Sequence, residues 1–287
     1  MNLHAVRRTR GVVAERIGLI AGNGRFPLVF AAAARAAGVE VIAVAHRGET
    51  PEEIGAFADE LTWVRVGELG KIIRVFKRAG VRQAVMAGGI RKPRHLADLR
   101  PDFRGAAFLA RTRSLKDDVL LRGIAAELEH DGITVVESTL FCGALVPRAG
   151  TLTRGAPRAK EWEDVRFGFR VAKDIGRWDI GQSVVVKRGA VLAVEGIEGT
   201  DEAIRRGGML GRGGVIVVKV SKPTQDLRFD VPAVGPTTID VLRQVGGRVL
   251  ALEADRTLML DRDAMIAAAD AADIAIVALS AAPGGTE

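Results

Sequence analysis

The sequence predicts an α/β protein in which an N-terminal Rossmann-like domain with a parallel sheet precedes a distinct C-terminal α+β domain. Three observations support this fold class. Short apolar strands alternate with helical segments through the first half, which is typical of a parallel sheet. A proline- and glycine-rich stretch at 147–160 interrupts that pattern, and a hairpin with mixed elements follows it. A chain of 287 residues with 48% hydrophobic residues is long enough for two cores.

The first half contains five predicted strands with helices between them. The first helix begins at Pro27, a residue favoured in the first turn of a helix, and stops at Gly38. Two further helices are predicted at Leu69–Ala79 and Asp117–His130. An open parallel sheet of this kind binds its ligands at the carboxyl ends of its strands. The five strands are Ile17–Ala21, Val39–Ala45, Leu61–Val66, Val81–Ala87 and Ile133–Val136.

The second half combines a hairpin with strands that are separated by helices. The hairpin pairs Ser183–Lys187 with Ala190–Glu195 around a turn at Arg188 and Gly189. The other predicted strands are Val215–Val220, Val249–Leu252 and Ile274–Leu279. The predicted helices are Trp162–Ile175, Asp201–Arg206, one that follows Pro236, and Asp263–Ala272. The resulting division is a mobile basic extension at 1–15, an N-terminal domain at 16–147, a linker at 148–160 and a C-terminal domain at 161–287.

Composition and charge exclude several classes of protein. The formal net charge is +7, but aromatic residues make up only 5% and no dense basic block occurs, which argues against nucleic-acid binding. The single cysteine, Cys142, excludes a disulfide within the chain and a CxxC zinc site. No apolar run reaches the roughly 18 residues that a membrane span requires, and residues 1–15 do not resemble a signal peptide. We therefore expect a cytoplasmic protein.

Two glycine-containing loops follow the first and fourth predicted strands. Their glycines would let the backbone approach a phosphate or a uridine, the first of them at a helix N-terminus. Arg111 and Lys116 precede the helix at 117 and would face a pyrophosphate. An ordinary turn and a capped helix start are the alternative interpretations. The loop residues predicted to bind substrate are Gly22, Asn23, Gly24, Gly88, Gly89 and Arg91.

The first glycine loop does not complete a dinucleotide-binding motif. Its third glycine position is occupied by Pro27. The second strand ends with His46 and Arg47 rather than with an acid that would hold a ribose. The sequence therefore argues against a nicotinamide cofactor.

The segment after the strand Val215–Val220 carries two carboxylates and an arginine. If this segment is extended, Asp226, Arg228 and Asp230 share one face, because strand side chains alternate. Glu195 ends the hairpin and Glu198 follows it, and acids at the end of an apolar strand are costly unless they are exposed or paired. Clustered carboxylates predict an oxygen-ligated cation, with Mg²⁺ as the expected ion and Mn²⁺ as an alternative. The predicted metal ligands are Asp230, Asp226, Glu195 and Glu198.

Six short motifs, taken together, resemble a known family. They are Gly18–Gly24, Gly70–Ile72, Asp179–Gln182, Val191–Glu195, Glu198–Asp201 and Gln225–Asp230, the last followed by Pro232. In this order they resemble the two-domain UDP-2,3-diacylglucosamine pyrophosphatases of lipid A biosynthesis, a family unrelated to the metallophosphoesterases of the same step. The resemblance covers about residues 16–280 and leaves out the basic extension.

The resemblance implies a reaction and a set of site residues. It implies Mg²⁺-dependent hydrolysis of UDP-2,3-diacylglucosamine to UMP and 2,3-diacylglucosamine 1-phosphate, with the lipid held between the two domains. The essential aspartate of the family corresponds to Asp230, and Asp226 corresponds to a position where members carry either acid. Arg228 and Lys222 would stabilise charge on the transferred phosphoryl group. The candidate catalytic residues are thus Asp230, Asp226 and Arg228, and further substrate contacts are expected from Gln182, Lys222 and Gln225.

An acylated substrate and a net positive charge predict weak peripheral association with the inner membrane surface. A homodimer is left open. Two alternative functions are a nicotinamide-dependent oxidoreductase and a non-catalytic phospholipid- or nucleotide-binding protein. The carboxylates argue against the last, because an anion binder gains nothing from four acids near its phosphate site.

Overall fold

A computed structural model describes residues 15–90, 100–112, 117–228 and 230–280 of this chain. The chain divides into two compact units, Met1–Glu137 and Ser138–Glu287. The predicted extension at 1–15 lies outside the described residues except for Glu15.

The N-terminal unit contains a five-stranded parallel sheet with strand order β3-β2-β1-β4-β5. Its three central strands, β2, β1 and β4, are almost entirely buried, which explains their continuous apolar sequences. The strands are β1 (Arg16–Ala21), β2 (Glu40–His46), β3 (Glu60–Val64), β4 (Gln83–Ala87) and β5 (Thr134–Val135). The helices are α1 (Phe26–Ala36), α2 (Leu69–Arg78), α3 (Phe103–Arg111) and α4 (Asp117–His130).

Helix α3 was not predicted from the sequence. Asp102 begins it as an N-cap, and its side chain accepts a hydrogen bond from the Gly105 amide at 2.9 Å. The same carboxylate accepts from the Lys71 amide on α2 at 2.9 Å, so one side chain joins two helices. Nine residues are too few for apolar spacing alone to reveal a helix.

The C-terminal unit contains a six-stranded mixed sheet with order β6-β13-β11-β9-β7-β8. Three central strands, β9, β11 and β13, are parallel, whereas β6, β7 and β8 pair antiparallel with their neighbours. The strands are β6 (Gly150–Thr151), β7 (Ser183–Lys187), β8 (Ala190–Val194), β9 (Ile216–Lys219), β11 (Val249–Glu253) and β13 (Ala275–Leu279). Two short strands, β10 (Ala233–Val234) and β12 (Leu258–Met259), form a separate pair.

Helices cover both faces of this mixed sheet. On one face, Val165 and Ala172 of α5 pack against Val184 and Val218. On the other face, α6, α7 and α8 pack over Val185 and neighbouring strand residues. The helices are α5 (Ala159–Arg177), α6 (Thr200–Gly211), α7 (Pro236–Gln244) and α8 (Arg262–Ala271). Both units therefore confirm the predicted α/β class.

The segment 148–160, predicted to be a linker, contains the edge strand β6 of the C-terminal sheet. Strand β6 pairs with β13, and the Ile276 amide donates to Thr153 Oγ1 at 2.9 Å. The division between the units falls at Glu137, before the predicted boundary at 147. An edge strand of two residues is too short to show alternation, so its prolines and glycines resembled a linker.

Candidate active site

The segment 225–230 folds as a turn, so the prediction of an extended strand with Asp226, Arg228 and Asp230 on one face is wrong. The Asp230 amide donates to the Asp226 carbonyl at 3.1 Å. Arg228 closes the turn through its side chain, since Nε lies 3.0 Å from Asp226 Oδ1 and Nη2 lies 2.8 Å from Oδ2. A local ion pair of this kind competes with strand geometry. The turn still leaves Asp230 exposed to solvent.

One edge of the C-terminal sheet collects polar side chains from three strands. Ser183 at the start of β7 lies opposite Lys219 at the end of β9, because the two strands are antiparallel. Val194 at the end of β8 lies opposite Val184, which places Glu195 at the same edge. The turn at 225–230 follows β9 along the chain. The carboxyl ends of β8 and β9 therefore meet where a ligand of this fold class would bind.

Lys219 is the centre of this edge and is only 6% exposed. Its Nζ donates to Thr200 Oγ1 at 2.8 Å, and that hydroxyl donates to Glu195 Oε1 at 2.7 Å. The backbone amide of Gln182 donates to Glu195 Oε2 at 3.3 Å. Burial lowers the pKa of Lys219, whereas the negative charges of Glu195, Asp201 and Asp230 oppose that shift. A buried cation thus lies among three acids, and it was missed in the sequence although it interrupts the apolar run 214–220.

An ion pair between the buried Glu253 and the partly buried Lys173 supports the start of the loop after β9. Glu253, at the end of β11, is 1% exposed and accepts from Lys173 Nζ at 2.7 and 2.6 Å. Ser221 donates to Glu253 Oε2 through its amide at 2.7 Å and its hydroxyl at 2.9 Å. Because Ser221 comes two residues after Lys219, this pair fixes the backbone between the buried lysine and the turn at 225–230. The pair of Lys173 and Glu253 was not predicted from the sequence. The signal for it is Glu253 itself, because a charged residue at the end of an apolar strand needs a partner when it is buried.

Lys222, Gln225 and Glu198, which were predicted as site residues, form hydrogen bonds and ion pairs with other residues of the C-terminal unit. Lys222 Nζ lies 2.6 Å from Asp179 Oδ1, and the Lys222 amide donates to Gln225 Oε1 at 2.8 Å. Glu198 pairs with Arg206 at 2.6 Å, and its other oxygen accepts from the Gly196 amide at 3.1 Å. Glu198 is therefore held by a guanidinium.

The described residues contain no group of three or more His, Cys, Asp or Glu side chains that could hold a metal ion. Glu195 and Glu198 already accept the hydrogen bonds above, and Asp226 is paired with Arg228. Asp226 and the exposed Asp230 lie in one turn, and Mg²⁺ is usually held by one or two carboxylates when substrate phosphates complete its coordination. The donor chemistry of this turn fits Mg²⁺ in that limited sense.

In the N-terminal unit, the two predicted glycine loops lie against each other. The Gly22 amide donates to the Ala87 carbonyl at 2.8 Å, and the Asn23 amide donates to the Gly89 carbonyl at 2.6 Å. A Cβ on Gly22 would lie 2.2 Å from the Gly89 carbonyl oxygen, and one on Gly88 would lie 2.3 Å from that of Asn23. Loop packing alone thus requires glycine at both positions. The loops follow β1 and β4, which are neighbouring strands in the sheet. The strand order reverses between these two strands, and nucleotides bind at such a point in parallel sheets.

Two side chains at the end of β2 or shortly after it contact the first glycine loop or the strand β1 that precedes this loop. Glu49 Oε2 accepts from Asn23 Nδ2 at 3.0 Å, so an acid is present near the end of β2 after all. His46 is buried and its Nδ1 lies 2.9 Å from the Ala21 carbonyl. Burial lowers the pKa of His46. His46 is therefore part of the core, and Glu49 is the polar group that the sequence reasoning missed here.

Of the three basic residues predicted to contact substrate in the N-terminal unit, Arg111 lies within the described residues. Arg111, at the end of α3, pairs with Glu127 Oε1 on α4 at 2.5 Å. Arg104 also contacts Glu127, at 2.8 Å, which makes this a cluster of charges between two helices. Arg91 and Lys116 lie outside the described residues. In the described parts of the chain, no helix is long and apolar enough to cross a membrane.

Both units match known protein families. Residues 16–145 match the family model of the LpxI N-terminal domain, and residues 148–277 match that of the LpxI C-terminal domain. The UDP-2,3-diacylglucosamine pyrophosphatase LpxI of Caulobacter vibrioides is 34% identical over 282 residues, which covers 94% of this chain and 98% of that protein.

Similarity to solved structures is weak. The biotin carboxylase domain of a Hydrogenobacter thermophilus 2-oxoglutarate carboxylase has 13% identity and a TM-score of 0.26, covering 61% of this chain and 35% of that one. A glycinamide-RNase-transformylase T from Mycobacterium tuberculosis has 16% identity and a TM-score of 0.24, covering 63% and 44%.

Proposed function

We propose that this chain, which belongs to the LpxI family, hydrolyses UDP-2,3-diacylglucosamine at the Lys219 edge of its C-terminal sheet. The observation that carries the activity is the match to both family domains together with 34% identity over 94% of the chain. The protein is thus a UDP-2,3-diacylglucosamine pyrophosphatase of lipid A biosynthesis, and it releases UMP and 2,3-diacylglucosamine 1-phosphate. A nicotinamide-dependent oxidoreductase and a non-catalytic carrier are set aside on the same ground.

We assign the attack of water to the turn at 225–230. The exposed Asp230 carboxylate accepts a hydrogen bond from the attacking water and orients it toward phosphorus. The water oxygen bonds to one phosphorus and passes a proton to the Asp230 carboxylate, as the bond from that phosphorus to the bridging oxygen breaks. The second phosphate leaves with the bridging oxygen. Arg228 and Lys222 lie on the same loop and donate to the phosphate oxygens on which charge accumulates.

Lys219 acts as a positioning residue in this proposal. Its contact with Thr200 holds the hydroxyl that fixes Glu195, and its charge offsets the acids around it. The buried pair of Lys173 and Glu253 holds Ser221 and hence the beginning of the loop.

Mg²⁺, with Mn²⁺ as an alternative, is proposed as the cofactor, and Asp230 and Asp226 would hold it. When bound, the ion supplies positive charge that offsets the charge of the diphosphate. Glu195 and Glu198 were also predicted as ligands, and their hydrogen bonds favour a supporting role for both.

In the N-terminal unit we assign the nucleotide part of the substrate to the loops at the strand-order reversal. Backbone groups of Gly24 and Gly89 and the Asn23 side chain supply donors and acceptors there, beside the carboxylate of Glu49. Gln182 and Gln225 are proposed to contact substrate at the Lys219 edge. We also propose a cytoplasmic location with weak association to the inner membrane surface.

The proposal is tested by incubating the purified protein with UDP-2,3-diacylglucosamine in detergent and following UMP by chromatography. Release of UMP and the sugar 1-phosphate in equal amounts is expected. Release in ¹⁸O-labelled water also identifies the attacked phosphorus by mass spectrometry. A folded protein that binds the lipid without releasing UMP would contradict the assignment.

A further inference from the structure

Three large apolar side chains beside the Lys219 edge are exposed to solvent. Trp178 is 80% exposed, Ile180 is 54% exposed and Ile197 is 101% exposed. Trp178 and Ile180 follow the end of α5, and Ile197 lies in the loop between β8 and α6. Exposed large apolar groups gathered in one region indicate an interaction surface.

The two loops that carry these side chains are held together. Gly181 packs so closely on the other loop that a Cβ at this position would lie 2.1 Å from the Glu195 carbonyl oxygen. The Gln182 amide donates to the Glu195 side chain. Asp179, between Trp178 and Ile180, pairs with Lys222 of the loop after β9. The apolar side chains therefore border the proposed reaction centre.

A basic stripe leads along α5 toward Trp178. Arg166, Arg170 and Arg177 are exposed. Their spacing of four and seven residues places them within about 40° of one another around the helix, so they share one face. Asp174 pairs with Arg177 at 3.1 Å, and the stripe keeps an excess of positive charge.

We propose that Trp178, Ile180 and Ile197, with the arginines of this stripe, form a docking face for an anionic lipid bilayer. The apolar tips enter the headgroup boundary, as tryptophan and aliphatic residues do in peripheral proteins, while the arginines contact anionic headgroups. Charge complementarity favours a lipid surface over a second copy of this basic chain. The inference rests on the proposed function, because an enzyme whose substrate resides in a bilayer gains access to it from this edge.

The test compares vesicle binding of the whole protein and of matched variants by co-sedimentation with phosphatidylglycerol-containing vesicles. Ile197→Asp and Trp178→Ser should each weaken binding about tenfold or more, and Arg166→Glu with Arg170→Glu should abolish the preference for anionic over neutral vesicles. The matched control is Leu210→Asp, since Leu210 is 64% exposed at the other end of α6. That variant should bind as the parent protein does.

Activity on detergent-dispersed substrate separates this inference from the proposed function. The Ile197→Asp and Trp178→Ser variants should hydrolyse dispersed substrate at the parent rate and lose rate on vesicle-embedded substrate. Equal vesicle binding by Ile197→Asp and the parent protein would overturn the docking face. A shift of the parent protein to dimers that Ile197→Asp reverses, without vesicle binding, would also overturn it. Loss of hydrolysis by the parent protein in detergent would instead contradict the proposed function.

Discussion

At the scale of single residues, charges inside apolar segments mark the reaction centre. Lys219 interrupts an apolar strand and Glu253 ends one, and both are buried in hydrogen-bonded contacts. Such charges are retained only where partners compensate for the loss of water. The exposed Asp230 differs from them, because it contributes charge to the site without contributing packing.

Replacing Asp230 by Asn preserves its shape and removes its charge. Turnover should fall by roughly 10²-fold or more, as expected for one electrostatic contact at a reacting centre. Thermal stability should hardly change because the side chain is exposed. Single-turnover rates and melting curves for Asp230→Asn beside Asp226→Asn provide the measurement. A near-normal rate in folded Asp230→Asn would refute the assignment, and a loss confined to Asp226→Asn would transfer the role to that residue.

Replacing Lys219 by Met leaves Glu195 and Asp201 without the buried cation that lies among them. The free energy of unfolding should fall by about 3 kcal/mol and turnover by at least about 10²-fold. Lys187→Met is the matched control, because Lys187 Nζ donates to the carbonyls of Gly211 and Gly213 away from the site. Urea unfolding and initial rates of both variants are compared. Equal losses of activity in the two would show that Lys219 has only a structural role.

At the scale of elements, the sequence predicts strands and helices well and the reactive loop poorly. The hairpin of β7 and β8 was placed to within a residue, because its apolar residues are bounded by a clear turn. The turn at 225–230 was mistaken for a strand, because period-two spacing of Asp226, Arg228 and Asp230 suits both conformations. What decides between them is the side-chain pairing of Asp226 with Arg228, which spacing does not specify.

The two glycine loops of the N-terminal unit give an element-scale prediction. Gly88 has a φ of +81° and no room for a Cβ beside the Asn23 carbonyl, whereas Gly38 has a φ of +78° with nothing within 4 Å. Gly38→Ala should cost about 1 kcal/mol for its left-handed backbone alone. Gly88→Ala should cost at least about 2 kcal/mol more, because the two loops must separate. Urea unfolding of the two variants measures the difference, and equal costs would mean that the loops are not closely packed.

At the scale of the whole chain, the fold class and the order of the two domains were predictable, whereas the pairing of segments far apart in the sequence was not. Apolar strands alternating with helices indicate the parallel N-terminal sheet directly. The stretch 148–160 contains the edge strand β6, whose pairing with β13 joins residues more than a hundred positions apart. No local pattern reports such a contact. The buried partners Lys219–Thr200 and Lys173–Glu253 were missed for the same reason, since each depends on which strands become neighbours.

Removal of divalent metal should affect the activity of the whole protein and leave its stability unchanged. We expect folding to be independent of metal, because the turn that carries the proposed ligands Asp230 and Asp226 is held by its own backbone and side-chain hydrogen bonds. If Asp230 and Asp226 hold Mg²⁺ only together with the diphosphate, the ion alone should bind with millimolar or weaker affinity, and substrate should strengthen its binding.

Melting curves with and without chelator, calorimetric titration with Mg²⁺ alone, and the rate of UMP release are compared on one preparation. Chelator should abolish turnover, Mg²⁺ should restore it, and the melting temperature should shift by less than about 2 °C. A large drop in melting temperature would reveal a structural metal site. Full turnover after complete metal removal would instead assign the charge stabilisation to Arg228 and Lys222 alone.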